Sequence, residues 1–451
     1  MQIFSISWTR LMPTGFPNYI SEDGREYYSN FIDALLAKNI EPFVTIYHWD
    51  LPQSLQDLGG WANPLVIDWF ADYARVVFSL YADRVKTWLT VNEPSAFCSF
   101  SYNSGEHAPG IVSKGIGTHL CNKNVLLAHA KAWRIYDEEF KPIHHGRVSM
   151  SHHHVWLQAM NKEEEDTAEF ARDVLLGLYT YPVYSKSGGW PPAVEKYMRD
   201  QAVKEKRTKS RLPELSKEEI DFIRGTYDFY GVNFYTSREV RRLRRGEPGV
   251  KWPMEGSTDY NFTFGINPNW EQSSEWFYIY PEAIRLLLNY IKNMYGDIEI
   301  VITENGFGGS ETFLEDYNRI DYYEKHLEQL LLAIHEDGIN VTGYTIWTLM
   351  DNFEWSFGYG LKFGLYQVDF KDPNRPRRPR ASAEYYKQII QQRSLNIYNK
   401  TYVPYYLLVL FIAFLLLGSV IIIVKVKFYT KVKSKSTTYQ HEGQMYTIVD
   451  S

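Results

Sequence analysis

Short apolar runs in this chain alternate with longer stretches in which apolar residues recur every three or four positions. The short runs fall at 3–7, 42–47, 87–91, 148–152, 229–234, 299–303 and 342–347, and predict strands. The longer stretches at 64–81, 125–140, 281–294 and 322–335 predict helices. Strand and helix in strict alternation predict parallel βαβ units, with helices covering the sheet. One apolar run differs from all of these. Residues 405–424 carry no charge and are long enough to span a bilayer as a helix. Tyr405 and Tyr406 stand at one end, and Lys425, Lys427, Lys431, Lys433 and Lys435 follow the other. Basic flanks face the cytosol, so 425–451 reads as a cytosolic tail. The body, 1–394, is then extracellular or lumenal, joined to the span by a stalk at 395–404.

Composition narrows this picture only slightly. With 451 residues the chain can hold one large barrel. The net charge of −6 is spread without long acidic or basic blocks and argues against a nucleic-acid partner. Aromatics make up 16%, enough to pack a core and still leave Tyr and Trp faces for stacking on sugars. Two cysteines, Cys98 and Cys121, cannot make a disulfide scaffold. One bridge and two buried thiols both remain open. Three sequons, at Asn261, Asn340 and Asn399, are glycosylation candidates if the body is outside the cytosol. Asn340 leads into a predicted strand, whereas Asn399 lies in the stalk. The opening residues alternate like a strand and lack the basic and apolar regions of an export signal. The expectation is therefore a longer natural N-terminus, or insertion directed by the terminal helix alone.

Two short acidic motifs carry the chemistry. Thr90-Val91-Asn92-Glu93-Pro94 ends one apolar run, and Val301-Ile302-Thr303-Glu304-Asn305-Gly306 ends another. In a β/α barrel, the C-terminal ends of strands hold the reacting groups. Two carboxylates facing each other there suit glycoside hydrolysis, one as acid and one as nucleophile. Weaker signals are His144-His145 and His152-His153-His154, which lack the carboxylate or cysteine partners of a metal set. The basic run from Arg238 to Arg245 reads as a solvated loop. Tyr446-Thr447-Ile448-Val449 lies in a tail whose expected state is disorder.

These motifs, together with Phe4-Ser5-Ile6-Ser7-Trp8, Tyr47-His48-Trp49-Asp50-Leu51-Pro52 and the run from Trp347 to Trp355, resemble family 1 glycoside hydrolases from Phe4 to about Gln392. That is the β-glucosidase, lactase and Klotho group, and the membrane span resembles its animal lactase-like branch. The resemblance implies a (β/α)8 TIM barrel whose first strand would precede Met1. It implies Glu304 as nucleophile and Glu93 as general acid/base, with the Glu93 proton held by the charge of Glu304. Asn92 would bind the sugar 2-hydroxyl, Tyr235 would donate to the nucleophile, and Asn233 would belong to their network. His48 and Trp355 would meet the 3-hydroxyl region. Trp347 would form the floor of the sugar site, and Glu354 would bind the 4- and 6-hydroxyls. An acidic Glu354 disfavours a 6-phosphate, so neutral β-D-glucosides or galactosides are expected as substrates, with no metal or other cofactor. Two departures stand out. Ile3 occupies the position of an arginine beside the nucleophile, and a sugar-binding glutamine of the first strand would lie upstream. They leave two alternatives to an active membrane-anchored enzyme: a non-catalytic Klotho-like co-receptor with a protein partner, and an inactive truncated isoform.

Overall fold

The computed structural model describes residues 1–113, 115–247, 259–274, 276–310 and 313–395 and, as backbone, 436–441 and 443–449. The span at 405–424, the stalk from 396 onward and Asn399 lie outside the described residues. Among the described residues no helix is long and apolar enough to cross a membrane. The chain divides into two units, Met1–Lys387 and Gln388–Ser451. In the second, Ser436–His441 and Gln444–Val449 form an antiparallel hairpin with Ser436 opposite Val449. Disorder was the expectation for this tail. Its alternating Thr, Tyr, Met, Ile and Val residues suit a strand.

The first unit is built on seven parallel strands that neighbour one another in chain order. They are β1 (Gln2–Ser5), β2 (Pro42–Tyr47), β3 (Thr87–Asn92), β4 (Arg147–Ala159), β5 (Tyr230–Arg242), β6 (Ile300–Asn305) and β7 (Val341–Tyr344). Ile3 of β1 packs against a cluster of Phe43 from β2, Leu89 from β3, Phe229 at the foot of β5 and Val301 from β6. In a flat sheet β1 and β6 would stand about 24 Å apart, at about 4.8 Å per strand. One shared cluster requires the sheet to curl until its inner face closes on itself. Among the described residues neither β1 nor β7 has a parallel partner on its outer side. The two edges nevertheless approach: Met1 Cε lies 3.6 Å from where a Cβ on Gly343 would stand. The Gln2 side chain donates to Ile3 O at 2.9 Å, so one edge carbonyl is satisfied locally.

Helices cover the outer face. α1 (Glu22–Leu36) starts at Ser21, whose hydroxyl accepts from Gly24 N at 3.2 Å, and carries Glu22 and Asp23 in its first turn. α2 (Val66–Tyr81) buries Val66, Phe70, Tyr73, Ala74, Val77 and Tyr81, a stripe at three- and four-residue spacing. α3 (Pro94–Tyr102) opens on a proline, which suits a first helical position. α4 (Ile116–Ile135) begins nine residues before the predicted start. Buried His119, Asn122, Asn124 and His129 interrupt its apolar pattern, and each makes at least one hydrogen bond inside the protein, although His119 Nδ1 and Asn122 Oδ1 are left without one. Asn122 donates to Leu178 O at 3.1 Å and Asn124 to Trp61 O at 2.9 Å. α5 (Glu282–Tyr295), α6 (Tyr317–His335) and α7 (Ala381–Gln392) complete the layer. Cys98 on α3 and Cys121 on α4 are bridged.

Polar residues also hid the true length of β4 and β5. Both run past the barrel rim and stay paired as far as Ala159 and Val240, with Phe262–Gly265 antiparallel to β5. The basic run read as a loop is strand as far as Arg242. Arg238 is buried there because its guanidinium lies over the Tyr278 ring at 4.8 Å and donates to Ser237 O at 2.7 Å. Asn261 and Asn340 are both exposed.

Candidate active site

β3 ends at Asn92, and Glu93 takes a left-handed backbone (φ 49°, ψ 61°) before Pro94 starts α3. The Glu93 N–H is held by Ser151 O of β4 at 2.8 Å. Across the barrel, Glu304 is the penultimate residue of β6, and an extra residue in β6, Thr303, shifts the register so that Asn233 of β5 stands opposite it. Such irregularities re-aim side chains at barrel rims. Here the shift makes Asn233 the hub of the site. Its amide donates to Glu93 Oε1 at 2.8 Å and to Asn92 Oδ1 at 3.1 Å. Its own Oδ1 accepts from Ser151 Oγ at 2.7 Å and Thr303 Oγ1 at 2.6 Å. The Tyr235 hydroxyl donates to Glu304 Oε2 at 2.5 Å.

The remaining predicted residues join this network from the other side. Asn92 Nδ2 lies 3.1 Å from His48 Nε2. Burial lowers the His48 pKa to about 4, so the ring is neutral and Nε2 accepts this bond. His48 packs beside Trp347 and Trp355, with ring centroids 5.8 Å from each. The Glu354 N–H donates to Gly358 O at 2.7 Å. The loop bearing Glu354 and Trp355 is clamped by a buried pair, Arg380 with Asp351, through two bonds of 3.0 and 2.8 Å. Arg319 adds bonds to Gly364 O at 2.7 Å and Lys362 O at 3.0 Å. All nine predicted site residues thus meet. Eight line one cavity of about 400 Å³, and Asn233 lies just behind it, bonded to Glu93.

Glu93 and Glu304 are 7% and 8% exposed, and Glu354 is half-buried. Burial, then the charge of Glu93, pushes the Glu304 carboxyl well above the ordinary carboxylate range. The Tyr235 hydrogen bond opposes this, Glu354 adds to it, and Asn233 opposes it. Ile3, where the resemblance implies an arginine, packs into the apolar cluster below. The ionised form of Glu304 is therefore favoured by neutral donors. Burial, more than the neighbouring Glu93, raises Glu354 to about 7. Among the described residues no group of three His, Cys, Asp or Glu is placed to hold a metal ion.

The histidine triplet splits between the two faces of β4. His152 and His154 turn outward, 3.3 Å from Tyr184 Oη and 3.1 Å from Tyr230 Oη, whereas His153 lines the cavity. Sequence reasoning did not place His153 in the site. It also missed Trp49, Phe100, His107 and Phe357, which line the same cavity, whereas Trp276, also there, stands in the loop to Tyr280 expected to meet the aglycone. Trp49 stands inside a quoted motif, and Phe100 is two helical turns beyond Glu93 on α3. His107 and Phe357 carry no signal in their own segments.

Comparison with known proteins agrees with this geometry. The sequence matches Glycosyl hydrolase family 1 over residues 1–395. It is 42% identical over 392 residues to Myrosinase 1 of Brevicoryne brassicae, covering 86% of this chain and 82% of that one. It is 38% identical over 399 residues to the human cytosolic beta-glucosidase, covering 87% and 83%. A rice beta-glucosidase, solved in a covalent complex with Glc, superimposes with a TM-score of 0.78 at 34% identity, covering 85% and 83%. The chain is a glycoside hydrolase and belongs to glycosyl hydrolase family 1.

Proposed function

We propose that the protein is a retaining β-glycosidase that cleaves neutral β-D-glucosides or galactosides by double displacement. The observation that carries this reading is the buried pair Glu93 and Glu304, tied through Asn233 and Tyr235 to neutral hydrogen-bond donors on one cavity. Glu304 attacks the anomeric carbon while Glu93 gives its proton to the departing oxygen. Water then attacks the glycosyl-enzyme, Glu93 takes a proton from it, and Glu304 leaves. A solved rice relative carrying covalent Glc supports such an intermediate. The charge of Glu93 is one of the causes that raise the Glu304 carboxyl, after burial. The first step needs a proton on Glu93, and the bonds from Tyr235 and Asn233 stabilise the matching state, with Glu304 ionised. Asn92 and His48 receive the 2- and 3-hydroxyls. Trp347 and Trp355 pack against the ring, and Glu354 accepts from the 4- and 6-hydroxyls. A second anion there would be repelled, which supports neutral sugars over 6-phosphates.

The same reading includes a single-pass anchor at 405–424 with the barrel outside the cytosol. It rests on the sequence pattern of that segment and on the Cys98–Cys121 bridge, since disulfides persist in oxidising compartments. The test is labelling with 2-deoxy-2-fluoro-β-D-glucosyl and galactosyl fluorides, followed by mass spectrometry. An adduct on Glu304 is expected. A folded protein that takes no label from either reagent would instead be a non-catalytic sugar or protein binder.

A further inference from the structure

The ring of strands divides into two arcs at the carboxylates, which follow β3 and stand on β6. The arc formed by β2 and β7 supplies His48, Trp347 and, from the next loop, Glu354 and Trp355. These are the side chains assigned above to the sugar. The opposite arc, β4 and β5, supplies one cavity residue with no part in that scheme. His153 shares the inner face of β4 with Ser151, two residues earlier, and stands opposite Asn233 of β5. Its Nδ1 is buried and makes no hydrogen bond. Nε2 is the ring nitrogen left to meet a ligand.

Aromatic rings line the same cavity, and Trp49 and His107 continue onto Trp355, at 4.3 and 5.7 Å between centroids. Phe100 and His107 pack at 4.8 Å between centroids, and Trp49 lies 5.5 Å from His107. Trp276 stacks on Phe357 at 6.3 Å. A flat apolar group fits between such walls, and one polar group among them fixes its orientation. The leaving group departs on the side of Glu93, whose helix α3 also carries the cavity residue Phe100.

We propose that His153 is a specificity-determining residue for the leaving group, its Nε2 hydrogen-bonding an oxygen carried by an aromatic aglycone. The protein then prefers hydroxyaryl β-glycosides to the unsubstituted phenyl β-glycoside. This inference rests on the glycosidase reading above.

The test measures kcat/KM on phenyl β-D-glucoside and on its 2-, 3- and 4-hydroxyphenyl counterparts, for the wild type and three variants. Each result is taken as a ratio to phenyl glucoside, and each variant ratio is then divided by that of the wild type, which cancels leaving-group basicity. At least one hydroxyphenyl isomer is expected to be favoured by the wild type. His153→Leu and His153→Asn are expected to erase that advantage, by about tenfold for one lost hydrogen bond. His153→Gln, whose amide reaches the place of Nε2, is expected to keep most of it. Asn reaches only the place of Nδ1, so its failure beside the success of Gln identifies the nitrogen. If His153→Leu does not fold by thermal melt, the Asn and Gln pair still decides. Equal loss on all four substrates would reveal a structural role and overturn the proposal, as would an advantage that survives His153→Leu and His153→Asn. A wild type that forms the Glu304 adduct but shows no hydroxyphenyl preference overturns this inference alone. One that neither labels nor turns over any glycoside overturns the glycosidase reading as well.

Discussion

The barrel interior has two layers built on the same strands, and they follow opposite rules. The lower layer, Ile3, Phe43, Leu89, Phe229 and Val301, is apolar and works by filling space. The upper layer, Ser151, Asn233, Thr303, Asn92 and the two glutamates, is polar and works by hydrogen bonds among named atoms. A few residues along each strand separate a packing problem from a chemical one. Register shifts near Asn92, Asn233 and His154 mark the boundary. Below them pairing is regular from β1 to β6, and a further shift lies between β6 and β7 at Gly343. Above them side chains are re-aimed, and polar groups accumulate that would be costly to bury unpaired.

Substitutions should separate the layers. Glu304→Gln removes the nucleophile with little change of volume. Turnover is expected to fall about 10⁴-fold or more while the melting temperature is held or raised, since a buried carboxyl is replaced by a neutral amide. A large loss of stability would show that the upper layer also supports the fold. Phe43→Ala makes the opposite demand. It should cost about 3–5 kcal/mol in denaturant unfolding. The kcat of the molecules that remain folded should stay close to wild type, and a collapse of kcat would mean the layers are coupled.

Smaller effects come from protons. The Glu304 carboxyl is already raised by burial and by Glu93, and Tyr235 opposes that rise. Tyr235→Phe removes the opposition, so the acid limb of kcat/KM should move to higher pH, by about 1 unit for one charge-assisted bond. An unmoved limb would show that Tyr235 does not bias the carboxyl pair. Stability has a separate acid signature. His129 and His326 are held neutral by burial, with pKa values lowered to about 4. Their contribution is complete above the unfolded value of about 6.5 and is lost as pH falls toward 4. Each should add about 1.4 kcal/mol per pH unit to the acid slope of unfolding in that window. Unfolding midpoints at pH 6.5 and 4.5, for wild type and His129→Gln, give the slope for one proton.

The sequence made the upper layer more legible than its surroundings. Glu93, Glu304, Asn92, Tyr235 and Glu354 stand in contiguous motifs, so short windows brought them forward. Barrel strands showed where apolar residues run unbroken. Periodicity failed where polar residues are buried and hydrogen-bonded at a distance. His119, Asn122, Asn124 and His129 hid the first half of α4, and Arg238 and Glu239 hid the end of β5, because their partners lie far along the chain. The Arg380–Asp351 clamp, 29 residues apart, is legible only once the fold has brought its halves together. His153 stood out only as one of three histidines lacking the partners of a metal set, and what set it apart, a strand sending neighbours to opposite faces, needed the fold.

The left-handed backbone at Glu93 bears on how such a barrel drifts over generations. Most side chains with a Cβ pay about 1–2 kcal/mol to sit there, whereas Gly pays nothing and Asn less. The bond to the Ser151 carbonyl, made by the backbone, would survive that exchange, whereas the Asn233 bond to Glu93 Oε1 would be lost. In backbone strain alone, a lineage released from selection for hydrolysis would gain by discarding this acid. A glutamate at so strained a position is therefore a choice that stability alone does not favour.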